Sequence, residues 1–181
     1  MTAIIAAILL AFAPHYLDAS SAQENAAAAL AAEGDTGIPA TLLLAVAWHE
    51  TRFDPLSLSR WQTDAGKRVT GHYGGEKPPP GARAHSWFCG PLQSGWDLSW
   101  EECRHRRDDL AYGYLTGARE VREWMGCHEC RRLAGDDRVL CGLRHYNGGN
   151  HPGKRAAGYA RAVVGTADVI RRYLQAALAI I

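Results

Sequence analysis

Residues 38–55, IPATLLLAVAWHETRFDP, join a strongly apolar helix pattern to a single carboxylate, Glu50, near the far end. Pro39 suits the first position of a helix, because its missing N–H would lack a partner there in any case. Pro55 ends the pattern and biases the residue before it toward extended backbone. The helix is therefore predicted to end between Glu50 and Phe53, with Glu50 in its last turn.

The predicted position of Glu50 suits a carboxyl group whose pKa is raised. Carbonyl groups at a helix C-terminus carry partial negative charge, and Val46, Trp48 and Phe53 can keep water away from the carboxyl group. Both effects favour the protonated form, which a general acid needs to protonate a leaving oxygen near neutral pH. The structural alternative is a glutamate that caps this turn or pairs with Arg52 in solvent.

The composition predicts one domain with a nearly neutral surface. Twenty basic and 19 acidic residues give a formal net charge of +1, so no overall field attracts nucleic acid or an anionic membrane. Six tryptophans and seven tyrosines offer flat faces on which sugars can stack, although burial in the core is the commoner use of such side chains. A polymeric, partly uncharged ligand fits this composition.

Residues 1–15 are apolar but too few to span a bilayer as a helix. They fit a signal peptide, with Ala11, Phe12 and Ala13 as a small-residue cleavage pattern, although no lysine or arginine precedes the apolar run. They equally fit a first helix packed on the domain. We therefore predict an apolar segment at 1–15, a domain at 16–181, and no membrane-spanning segment.

The remaining pattern predicts a mainly α fold, with a small β part. Helical patterns cover residues 18–32, 98–126 and 159–181. Between the second and third helices, glycine, proline and serine surround two strand-like pieces, WQTD at 61–64 and KRVTGHY at 67–73. We expect a compact helical domain in which a small hairpin forms a lip over a substrate cleft.

Five cysteines leave at least one outside any disulfide within the chain. Cys127, Cys130, Cys141 and His145 follow the spacing C-x2-C and C-x3-H, which is an acceptable zinc pattern. A binding module stabilised by a metal, without catalysis, is therefore an alternative class of function.

Four short motifs stand in order along the chain: HETRF at 49–53, GPLQ at 90–93, HYNGG at 145–149 and GYARAV at 158–163. Together they resemble the motifs E-S-x-F, G-L-M-Q and A-Y-N-x-G, with a following tyrosine, of the soluble lytic transglycosylases, which are relatives of goose-type lysozymes. The resemblance covers residues 16–174. It departs from the family pattern at Thr51, where serine is usual, and at Pro91-Leu92, where leucine and methionine are usual.

The resemblance implies a lysozyme-like fold and a monomer that cleaves the β-1,4 bond between MurNAc and GlcNAc in peptidoglycan, without a cofactor or a metal. It implies that one glutamate, Glu50, acts as acid and then as base, and that the product carries a 1,6-anhydro ring. The substrate-binding residues that it implies are Thr51, Gln93, Tyr146, Asn147 and Tyr159. It also implies an extracytoplasmic location, in the periplasm, the cell wall or a virion.

A hydrolytic muramidase is the alternative within the same class of enzyme. Such an enzyme needs a second carboxylate to activate water or to act as a nucleophile. The candidates for this group in the sequence are Asp54, Asp64, Glu76 and Asp97.

Disulfides suit an exported enzyme of this family better than zinc does. The expected pairs are Cys89 with Cys103, and Cys141 with either Cys127 or Cys130. A peptidoglycan-binding module stabilised by such disulfides is the non-catalytic counterpart of this prediction.

Overall fold

The computed structural model describes residues 1–60, 69–72, 87–95 and 98–180. Within these ranges the chain forms seven α-helices, one short 3-10 helix and a three-stranded sheet, so the predicted mainly α, α+β class is confirmed. The helices are α1 Thr2–Phe12, α2 Ala19–Thr36, α3 Ala40–Thr51, α4 Trp100–Asp108, α5 Leu110–Met125, α6 Gly135–Gly148 and α7 Lys154–Leu178, with the 3-10 helix at Cys130–Arg132. The strands are β1 Ser57–Arg60, β2 Val69–His72 and β3 Trp87–Cys89.

Helix α3 lies at the centre of the core, as its apolar sequence predicts. Every residue from 40 to 47 is buried. The helix begins one residue later than predicted, because Pro39 is its N-cap and Ala40 its first residue. Glu33 on α2 accepts a hydrogen bond from the Ala40 N–H at 3.1 Å, which satisfies one of the donors that a helix start leaves unpaired.

Helix α1 belongs to the same core as α3. Ile5 and Leu9 are 1% and 0% exposed, in one cluster with Leu43 of α3. Helix α1 packs against α2 and also against α7, so the first and last helices are in contact. Residues Thr2–Phe12 thus form a helix packed on the domain, while the signal peptide at 1–15 stays a prediction. None of the helices in the described ranges combines the length and apolar character needed to cross a membrane.

The small sheet is antiparallel, in the order β2-β1-β3. Strand β2 falls within the predicted piece at 67–73, whereas the piece at 61–64 lies outside the described residues. The sequence interpretation missed β1 and β3, because runs of three or four residues carry too little alternation to be recognised. A hairpin is present as the pair β1 and β2, but its first strand lies before the predicted piece at 61–64.

Two disulfides connect these elements, and both follow the predicted pairings. Cys89 to Cys103 ties β3 to α4, with Cα atoms 5.4 Å apart. Cys130 to Cys141 ties the 3-10 helix to α6, with Cα atoms 5.5 Å apart. Cys127 is the free cysteine.

Three element boundaries differ from the prediction. The helical pattern at 98–126 is broken in two, because Asp109 leaves the helical conformation and its side chain accepts the Tyr112 N–H at 2.9 Å, as an N-cap for α5. Helix α2 runs on to Thr36 and ends at Gly37, which has a left-handed φ of 72°. The predicted turn at Tyr146 and Asn147 is instead the last turn of α6.

Candidate active site

A groove of about 460 Å³ lies where the end of α3, the turn after β3, the last turn of α6 and the first turns of α7 meet. Its walls include Glu50 and four of the five predicted binding residues: Gln93, Tyr146, Asn147 and Tyr159. These five residues come from four separate segments of the chain. The structure therefore brings together the motifs that the sequence analysis singled out.

The backbone after Glu50 is held in an unusual conformation. Arg52 and Phe53 both have positive φ, 57° and 66°, which side chains other than glycine seldom adopt. The Phe53 ring is buried, and the Arg52 guanidinium lies 4.1 Å from the centre of the Trp48 ring while donating to the Trp48 carbonyl at 2.5 Å. These contacts fix the end of α3 and with it the direction of the half-buried Glu50 side chain.

Tyr159 reaches the groove from α7 and lies close to Glu50. Its hydroxyl is buried and meets no partner at ordinary hydrogen-bond distance among the described residues. Burial first, and then the charges of Glu50 and Tyr146, raise the pKa of Tyr159 well above its usual value. The neutral hydroxyl is thus a donor placed beside the candidate acid.

Tyr146 differs from Tyr159 because its hydroxyl is already bound within the protein. It donates to the Leu92 carbonyl at 2.6 Å. Burial, followed by the charges of Glu120 and Glu50, raises the pKa of Tyr146 well above its usual value. This hydroxyl therefore has a structural role, because it ties α6 to the turn after β3. Its role on the substrate stays a prediction.

Gln93 lines the groove while its side chain braces the same turn. The amide nitrogen donates to the Ser57 carbonyl at 2.8 Å and to the Gly90 carbonyl at 3.2 Å. Gln93 also has a positive φ of 50°. The glutamine of this motif therefore joins the turn to the sheet, in addition to bordering the groove.

Thr51 is a correction to the predicted set, because its hydroxyl faces the protein. It is 8% exposed, and its hydroxyl donates to the Ala47 carbonyl at 3.1 Å and the Pro91 carbonyl at 2.9 Å. It is absent from the groove lining. The hydroxyl at this position connects α3 to the turn after β3. A sequence motif alone cannot distinguish such a structural contact from contact with a ligand.

His49 is a groove residue that the sequence analysis did not assign. Its Nε2 lies 2.9 Å from the Thr166 hydroxyl, and its ring meets Tyr159 edge to face at 6.3 Å. Burial, and next the charge of Arg52, lower the pKa of His49, whereas a hydrogen bond to the Ala162 backbone raises it. The signal that was missed is its place directly before Glu50, since both side chains leave the last turn of α3.

A second groove, of about 1130 Å³, adjoins the first and shares Phe88, Tyr146 and Asn147 with it. Glu120 on α5 lies in its wall and accepts the Gly95 N–H at 2.7 Å. Burial raises the pKa of Glu120, against the opposing effects of the Gly95 hydrogen bond and the charge of Arg106. The two grooves therefore have part of their walls in common.

Glu120 is a carboxylate in the wall of the adjoining groove that the sequence analysis did not name. It follows Gly113 and Gly117 at helical spacing, so these three residues lie on the face of α5 that meets the turn after β3. That spacing was the available signal. Of the carboxylates named from the sequence, Asp54 accepts the Leu56 N–H at 3.0 Å; the others, Asp64, Glu76 and Asp97, lie outside the described residues.

No protein-family model, no curated protein and no solved structure matches this chain. The resemblance to lytic transglycosylases therefore depends on the motifs themselves and on where the fold places them.

Proposed function

We propose that this protein is a peptidoglycan lytic transglycosylase that cleaves the β-1,4 bond between MurNAc and GlcNAc. The observation that carries the proposal is the groove in which Glu50, Gln93, Tyr146 and Tyr159 meet from distant parts of the chain. A single carboxyl group at the end of a buried helix, with neutral hydroxyl groups beside it, has the composition of an acid and base site. The enzyme would act outside the cytoplasm.

In the proposed reaction Glu50 serves twice. Its protonated carboxyl group gives a proton to the glycosidic oxygen as the bond from C1 of MurNAc breaks, which leaves positive charge on the sugar ring. The carboxylate then accepts the proton of the 6-hydroxyl group of the same MurNAc as that oxygen bonds to C1. Glu50 is protonated again at the end, and no water is consumed.

The neighbours of Glu50 support this sequence of steps. The Tyr159 hydroxyl can donate to the carboxylate during the stage at which the carboxylate is charged, because its own raised pKa keeps it protonated. Asn147, which is exposed in both grooves, can hydrogen-bond the acetamido or hydroxyl groups of a sugar. The adjoining groove extends the surface available to a glycan strand.

A hydrolytic muramidase is the second candidate, and Glu120 is the observation that favours it. This carboxyl group borders the adjoining groove and acts electrostatically on Tyr146, as Glu50 does. Such a group is of the kind that activates water in glycoside hydrolysis. The product would then carry a reducing end in place of the anhydro ring.

The test is digestion of purified peptidoglycan, with the product masses read by mass spectrometry, for the wild type and for Glu50→Gln. We expect 1,6-anhydromuramyl products from the wild type, and a fall in rate of about 10⁴-fold or more for Glu50→Gln, since one group is lost as both acid and base. Peptidoglycan binding and folding should be kept, because glutamine has nearly the same shape.

Glu24→Gln, at an exposed position on α2, is the matched control and should digest at the wild-type rate. Products with reducing ends would show that the activity is that of a muramidase and not of a transglycosylase. Binding without products would favour a non-catalytic module, and an active Glu50→Gln variant would remove Glu50 from the mechanism.

A further inference from the structure

A cluster of sulfur and nitrogen atoms lies between the end of α5 and the middle of α6. Ligand atoms of Cys127, Cys130 and His145 all lie within 4.8 Å of one another. Cys141 joins the cluster through its bond to Cys130. Four side chains of the kinds that bind zinc therefore meet at one place. Two of their three sulfur atoms form the disulfide, and the third is the thiol of Cys127.

His145 is held in the manner of a metal ligand. Its ring is 4% exposed and stacks on Trp124, with ring centres 5.4 Å apart. Nδ1 lies 2.8 Å from the Gly149 carbonyl, which fixes the proton on Nδ1. Metal-binding histidines usually give one N–H to such a carbonyl and direct the other nitrogen, here Nε2, at the metal.

An ion at Nε2 would displace the Glu129 carboxylate, which is the group now facing that nitrogen. Glu129 lies 3.1 Å from Nε2, but its side chain is 69% exposed and can turn into solvent. Cys127 is a thiol outside both disulfides and is only partly exposed. A tetrahedral zinc site places its ligand atoms roughly 3.3–3.8 Å apart. The ligand atoms of Cys127, Cys130 and His145 lie within 4.8 Å of one another, so small shifts would bring them to that spacing.

We propose that, when the Cys130 to Cys141 bond is reduced, Cys127, Cys130, Cys141 and His145 bind one zinc ion as a closed structural site. A phosphine or thiol reductant supplies two electrons to the disulfide, and two protons complete two thiols. Each of the three thiols then loses its proton on binding zinc. The disulfide and the zinc site are mutually exclusive, because they share Cys130 and Cys141.

Either cross-link has the same mechanical consequence. Both connect the segment after α5 to α6, one turn before Tyr146 and Asn147. Zinc would therefore maintain the wall of the groove in a reducing environment, where the disulfide is lost. The inference does not depend on the proposed reaction, and its test needs no substrate.

The test is the zinc content of the full chain, treated with tris(carboxyethyl)phosphine and zinc, then passed through a desalting column and measured by mass spectrometry. We expect about one zinc ion per reduced chain and none in the chain kept oxidised. Cobalt in place of zinc should give the visible bands of a tetrahedral thiolate site.

Cys127→Ser is the decisive variant, because it leaves both disulfides intact. In the oxidised state it should fold and melt as the wild type does, whereas in the reduced state it should retain less than about half of the wild-type zinc. The double variant Cys89→Ser with Cys103→Ser is the control and should still bind zinc. A reduced wild type without zinc, or a Cys127→Ser variant that binds zinc as tightly as the wild type, would overturn the proposal.

Discussion

Removal of the two tyrosine hydroxyls beside Glu50 should change stability by different amounts. Tyr146→Phe deletes the donor to the Leu92 carbonyl, so we expect the free energy of unfolding to fall by about 1–2 kcal/mol. Tyr159→Phe removes a buried hydroxyl without an ordinary partner among the described residues, so stability should change by less than about 0.5 kcal/mol.

Urea unfolding of the two variants measures this difference. Under the proposed function, Tyr159→Phe should also lower the rate of peptidoglycan digestion by about 10-fold or more, because a donor to the Glu50 carboxylate is lost. A strongly destabilised Tyr159→Phe variant with full activity would place this hydroxyl in the core and outside the reaction.

Glu120 should make stability depend on pH in a definite direction. Because burial raises the pKa of Glu120 in the folded protein, the unfolded chain releases this proton first as the pH rises above the ordinary value of 4.5. This carboxyl group therefore supports folding most fully below pH 4.5, and that contribution is lost as the pH rises through its folded pKa.

Glu120→Gln isolates this effect, since an amide oxygen can still accept the Gly95 N–H. The melting temperature of Glu120→Gln minus that of the wild type should increase between about pH 4 and pH 7. A difference that stays flat or decreases over this range would show that the pKa of Glu120 is not raised.

For single residues, the sequence predicted where a side chain lies along its helix. It did not predict which groups a hydroxyl contacts in the folded protein. The position of Glu50 follows from the apolar run before it and from Pro55 after it. The inward orientation of Thr51 depends on the Pro91 carbonyl, 40 residues away in the chain. Glu120 was missed for a similar reason, because its partner Gly95 is brought close only by the packing of α5.

Among the elements, α5 packs closely against the turn after β3, because a glycine without a side chain lies at the contact. A Cβ added to Gly117 would lie 2.6 Å from Cδ2 and 2.8 Å from Cβ of the fully buried Leu92. We therefore expect Gly117→Ala to lower the free energy of unfolding by about 1–3 kcal/mol, despite the better helix propensity of alanine.

Gly165→Ala is the matched control for this prediction. Gly165 also lies within a helix, α7, but an added Cβ would meet no atom within 4 Å. Alanine should raise the free energy of unfolding there by about 0.5–1 kcal/mol. If urea unfolding shows that the free energy of unfolding changes in the same direction in both variants, the close packing at Gly117 is contradicted.

The elements were predictable where a long apolar pattern runs uninterrupted, as in α3. They were less so where one side chain decides a boundary. Asp109 ends α4 and starts α5 although the residues on both sides favour helix, since its carboxylate competes for a backbone N–H. Strand β1 pairs with both β2 and β3, and no local pattern of three or four residues encodes such pairing.

For the whole molecule, α1 is the helix whose importance the sequence left open. Leu9 is completely buried against the common core, so Leu9→Ala in the full chain should lower the free energy of unfolding by about 2–5 kcal/mol. Ala7→Ser, at an exposed position of the same helix, should change it by less than about 0.5 kcal/mol. Equal stability of the two variants in urea would mean that the core does not need α1.

The contact between α1 and α7 also bears on how the chain is made. Synthesis proceeds from the N-terminus, so α1, α2 and α3 leave the ribosome long before α7 does. Until then, the apolar faces that α7 will cover on α1 and α3 stay open to water or to chaperones. The burial of Glu50 beside Tyr159 consequently requires α7, and a nascent chain lacking α7 would hold the carboxylate without the groove that surrounds it.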